Sequence, residues 1–122
     1  MAQSAEGRVL LAKLTAQFNE KLSLAIYNLY PDGGGHDIAL LAADDWIGRD
    51  VIQPALYGFV NVTEPACAAS VASTPNCTTQ TLNAASGATA TTWLWAEGTY
   101  LSAGAHAQLG LQAETRVRGN PL

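Results

Sequence analysis

An incomplete α/β domain is the fold class the sequence predicts, and three observations predict it. Apolar residues recur at helical spacing from Ala5 to Leu29, a nearly continuous apolar run follows in HDIALLAA (36–43), and helical patterning returns from Ser102 onwards behind the short aromatic run TTWLW. The order is helix, strand, helix, long loop, short strand, helix. One or two strands make no sheet of their own, and an unpaired edge is costly or adhesive. HDIALLAA is therefore expected to pair with a missing N-terminal half, another chain or a swapped copy of itself.

Each element has a local reason. In the first, Leu11, Leu14, Phe18, Leu22, Ala25, Ile26 and Leu29 fall three or four apart on one stripe, with Lys13, Gln17, Glu20 and Lys21 off it. Pro31 and the glycines of YPDGGGHD end that helix. Gly33-Gly34-Gly35 is read as a connector, because the Gly-Lys-Ser/Thr that a phosphate-cradling loop needs does not follow. HDIALLAA suits a strand buried on both faces. Asp44 and Asp45 then favour a helix N-terminus, and Pro54 limits or bends that helix. Residues 58–91, rich in Thr, Ala and Ser, read as a long excursion held by two cysteines. TTWLW is the second candidate strand, and Ser102 caps the last helix despite Gly104 and Gly110.

Composition bounds the function. The 122 residues allow at most one domain, and 48% hydrophobic with 13% charged residues favours a folded core. Much of the apolar share is alanine, which buries little area, so the core is expected to be thin. A net charge of −4 with only six Lys and Arg lacks the basic footprint of a nucleic-acid binder. No apolar run reaches the roughly 18 residues of a membrane helix, and the opening MAQSAEGRVLLAKL is not patterned as a signal peptide.

Cys67 and Cys77 are the only cysteines. No adjacent Cys or His pair completes a four-ligand zinc set, so no metal is expected. A disulfide closing the polar loop is favoured, with two free thiols as the alternative. A bridge over about ten residues contributes roughly 2–3 kcal/mol and implies an oxidising compartment. The location expected is therefore secreted or at a bacterial outer membrane or cell surface, with any export signal outside this chain.

Two blocks carry a resemblance. PALYGFVNVTEPAC, a second Cys, and then WLWAEGTYLSAGAH are similar to the C-terminal part of GDSL (SGNH-type) esterases and lipases, nearest to the autotransporter and secreted phospholipase-like branch. The similarity runs from the first helix to about Val117. It implies part of a flavodoxin-like α/β/α sandwich, no cofactor, and an ester or lipid substrate for an intact member. In that family a Gly-Asp-Ser serine attacks the ester, and an Asp-x-x-His block supplies the base and the residue that orients it.

Laid onto this chain, the Asp position is Glu97 and the His position is Tyr100. A longer carboxylate can still orient an imidazole, but a phenol at neutral pH does not take a proton from serine. No Gly-Asp-Ser occurs in these residues, and the family's glycine and Gly-x-Asn-Asp blocks are absent too. The chain is expected to be a fragment or degenerate member of the family, inactive alone. The alternative is a non-catalytic binding or assembly module of a secreted or outer-membrane protein. Self-association, or docking to a missing N-terminal half, is expected in either case.

The remaining candidates have plainer readings. His106 and His36 are an ordinary helix histidine and a strand-start histidine before they are substitute bases. Asp44-Asp45 are helix-start acids before they are a carboxylate pair. Trp93 and Trp95 are core residues ahead of lining an ester pocket. Asn61-Val-Thr63 and Asn76-Cys-Thr78 match glycosylation sequons, a frequent chance pattern.

Overall fold

A computed structural model of the chain describes residues 4–31, 38–69 and 77–119. It divides into two compact units, Met1–Leu40 with Val117–Leu122, and Leu41–Arg116. Gly33 to Gly35, His36 and Asn76 lie outside the described residues.

The first unit holds helix α1, Ala5–Leu29. Ser4 caps it, its hydroxyl accepting from the Gly7 amide at 3.1 Å, and Tyr30 N–H returns to the Ile26 carbonyl at 3.0 Å. The helix has the bounds its spacing predicts. Among the described residues of its own unit nothing buries its stripe: no α1 residue is buried, and Phe18 and Leu29 are 65% and 72% exposed.

The second unit begins with a correction. Residues 38–42, expected to be a buried strand with 36, 37 and 43, are irregular, and helix α2 starts at Ala43. No described strand neighbours this run, and an apolar run without a pairing partner has nothing to hold it extended. Asp44 and Asp45 occupy the first turn of α2 (Ala43–Ile52) and Arg49 the last, which suits the helix dipole. The helix stops before Gln53, whose successor Pro54 disfavours helical backbone at that residue. Pro54 instead opens a 3-10 turn, Pro54–Tyr57, ended by Gly58 at φ 81°, a left-handed conformation that glycine adopts without strain. Trp46 ties helix to turn: its ring meets Tyr57 edge-on at 6.4 Å, and the Arg49 guanidinium lies 4.7 Å from its centre.

Strand β1 is Asn61–Pro65, inside the segment expected to be loop. The alternation in Phe59-Val-Asn-Val-Thr63 and its β-branched residues suit a half-buried strand. It pairs in parallel with β2, Trp93–Trp95, the strand expected from TTWLW. Asn61 faces Trp93 and Pro65 faces Trp95, so β1 advances farther than β2 and bulges. Trp95 also bridges to Leu101 in the antiparallel sense, and Cys67 bridges to Leu82. The fold is thus a small mixed α/β domain with three helices and a two-stranded parallel sheet among the described residues.

Cys67 and Cys77 form a disulfide with Cα atoms 5.7 Å apart. Farther along the excursion lies a 3-10 turn, Ala84–Ser86. Helix α3, Ala103–Gly119, follows Ser102, whose hydroxyl accepts from the Ala105 amide at 3.2 Å. Its Gln108 side-chain amide donates to the Tyr57 carbonyl.

Two clusters make the core. Phe59, Leu94 and Ala105 form one, with Ile47, Tyr57, Val62, Trp95 and Leu101 packed on it; Ala66, Ala88 and Trp93 form the other, with Leu82. Alanine's share of these buried positions makes the core thin, as the composition implies.

Candidate functional site

The block 93–102 is built as a closed loop between β2 and α3. Ala96 N–H donates to the Tyr100 carbonyl at 2.8 Å, and Ser102 N–H to the Leu94 carbonyl at 2.9 Å. These bonds fold residues 96–101 back on β2 and point the side chains of the turn in different directions.

Glu97 is 8% exposed, and its Oε1 accepts from the Thr99 hydroxyl at 2.6 Å and the Thr99 amide at 3.3 Å. Its carboxylate is therefore engaged with its own turn. Tyr100 is 69% exposed, and the turn uses its carbonyl rather than its phenol. The two positions that the resemblance pairs hold one inward carboxylate and one outward ring, an arrangement unlike an acid orienting a base.

Trp93 is buried in the second cluster. Trp95 is half-buried on the first, its indole N–H donating to the Val62 carbonyl at 2.9 Å. His106 is exposed on α3, and Asp44 and Asp45 are exposed at the start of α2. The Asn61 side chain is occupied locally: its oxygen accepts from the Thr63 and Glu64 amides, both at 3.0 Å, and its amide donates to Glu64 at 2.8 Å. Among the described residues no group of three His, Cys, Asp or Glu could hold a metal ion.

Two features have no counterpart in the sequence reading. A partly open cavity of about 240 Å³ lies beside the loop, lined by Ala66, Leu82, Ala90, Ala96 and Ala103 together with Cys77, Thr78, Thr79 and Ser102. Small residues scattered along the chain carry no spacing signature, so nothing in the sequence marks it. The other is Asp50, buried at the end of α2 with Oδ1 lacking a hydrogen-bond partner. Burial raises its pKa above the ordinary 3.8. The lone signal was a carboxylate in the apolar setting DVIQPALYGF.

Comparison of the chain with family models, curated proteins and solved structures finds no match.

Proposed function

We propose that the chain is a non-catalytic relative of the GDSL-type esterases, in which the 93–102 loop is kept as a structural element and no longer works as acid and base. The observation that carries this reading is the state of Glu97 and Tyr100: the carboxylate bonds to Thr99, and the phenol faces solvent. General-base catalysis needs a proton acceptor within hydrogen-bond reach of a nucleophile, with a third group orienting it. In the loop the Glu97 carboxylate is held by Thr99 of its own turn, and position 100 carries a phenol in place of an imidazole. A parallel β1–β2 pair, which follows α2 and precedes α3 in the chain, is compatible with descent from the family's α/β architecture. The disulfide is compatible with an extracellular setting, and no described helix is long and apolar enough to cross a membrane.

The test is direct. The chain should hydrolyse p-nitrophenyl butyrate no faster than buffer, and should not be labelled by a serine-directed fluorophosphonate. Turnover that is lost on Tyr100→Phe would overturn the proposal, as would covalent labelling.

A second reading, an assembly module, is favoured by α1. Large apolar residues including Val9, Leu14, Phe18, Tyr27 and Leu29 are all at least half exposed along one helix. An exposed apolar surface of that extent marks an interaction site. Light scattering should show mass rising with concentration, and a Phe18→Glu change should return the chain to monomer.

A further inference from the structure

The geometry points to a ligand site in the alanine-walled cavity beside the Cys67–Cys77 bridge, suited to an uncharged, medium-length aliphatic molecule with one oxygen acceptor.

The cavity measures about 240 Å³. An apolar cavity of roughly 150 Å³ stays dry and takes benzene, so scaling gives space for about nine or ten non-hydrogen atoms. Its apolar wall comes from Ala66, Leu82, Ala90, Ala96 and Ala103, methyl and isobutyl groups that suit an alkyl chain and offer no ring for stacking. Among the described residues no Lys, Arg or His contributes to the lining. A carboxylate would enter without a counter-charge, at a large desolvation cost, so the guest is neutral.

Ser102 gives the polar contact. It is 1% exposed and lines the cavity. Its oxygen accepts from the Ala105 amide at 3.2 Å, and among the described residues its hydrogen has no acceptor. A hydroxyl can accept and donate at once, so one donor is left for a ketone, ester or ether oxygen. Thr78 and Thr79 also line the cavity, but both are exposed and their hydroxyls meet water, so Ser102 is the buried donor. Trp93 packs with Ala66 and Leu82, two of the wall residues, and so can report occupancy through its fluorescence.

Titration of the oxidised chain with 2-octanone, octane and octanoate, followed by tryptophan fluorescence and calorimetry, tests the proposal. 2-Octanone should bind saturably, octane about fivefold more weakly for want of a hydrogen bond of ~1 kcal/mol, and octanoate most weakly. Ala96→Leu should abolish binding by filling the space; Ala103→Leu, on the first turn of α3, does the same if the first variant does not fold. Ser102→Ala should erase the preference for ketone over alkane. That ratio is internal to one variant, so any loss of helix capping cancels. Absence of saturable ketone binding, binding unchanged by a folded cavity-filling variant, or a ketone preference that survives Ser102→Ala would each overturn the proposal. Because a ketone is not hydrolysed, these results are independent of whether the chain turns over esters.

Discussion

Gly104→Ala is the substitution that most sharply tests how α3 is seated. A Cβ at this position would stand 2.3 Å from the Thr91 carbonyl oxygen, 2.8 Å from its carbon and 2.9 Å from its Cα. Ordinary contact begins at 3.4 Å, so helix and turn must separate by 3.4 − 2.3 = 1.1 Å. The Gly104 amide donates to the Ala90 carbonyl at 2.9 Å, and a displacement of that size is enough to break the bond. Overpacking against backbone costs about 1–3 kcal/mol, and the lost bond about 1 kcal/mol. Together they give about 3 kcal/mol, a fall in Tm of about 10 °C for a domain of this size. Gly110→Ala is the matched control. It lies in the same helix, has nothing within 4 Å of its added Cβ, and should gain up to ~1 kcal/mol from helix propensity. Thermal melts of the two variants, both oxidised, decide the matter. If Gly104→Ala melts as high as Gly110→Ala, the close approach of α3 to the 90–92 turn is wrong, and the cavity wall that Ala90 and Ala103 share is wrong with it.

Three further outcomes follow from other contacts. Reducing the Cys67–Cys77 bridge, or replacing both cysteines by Ser, should lower stability by about 3 kcal/mol, read as a drop in the urea midpoint. Trp95→Phe should cost about 1 kcal/mol by leaving the Val62 carbonyl without its donor; urea unfolding should show a lower midpoint at unchanged slope. Asp50 holds its proton more tightly when folded, since burial raises its pKa above 3.8. Below that value both states are protonated. As pH rises from 3.8 through the raised folded value, the unfolded chain binds fewer protons and stability falls. Asp50→Asn should flatten that slope in stability measured against pH, and an unchanged slope would show that Asp50 is not its source.

Part of this was legible in the residues. Helix α1 has the bounds its spacing dictates because Ala, Leu, Lys and Gln at regular intervals fix the backbone locally, with Pro31 beyond the end. The bridge followed from two cysteines in a loop with little else to anchor it. The strands were harder. HDIALLAA has the composition of a buried strand, but strand formation depends on a partner, and periodicity says nothing about partners. Asn61–Pro65 is a strand because Trp93–Trp95 lies beside it, a pairing between segments far apart in the chain. At the loop, the identities of Glu97 and Tyr100 were plain; that one turns inward onto Thr99 and the other outward was not, since backbone bonds to the Tyr100 carbonyl set both directions. The cavity was invisible because its lining is drawn from five separate places in the sequence.

The bulged strand pair has a consequence for how the chain reaches its folded form. Between Pro65 and Trp93 lie 27 residues (66–92), and the bridge at Cys67 and Cys77 short-circuits nine of them (68–76), leaving 18. Shortening a closing loop by that ratio lowers its entropic cost by about 0.4 kcal/mol, close to a doubling of the closure rate. Oxidation before β1 meets β2 therefore speeds that pairing, and a chain made in a reducing compartment should acquire its sheet later than its helices by a wider margin.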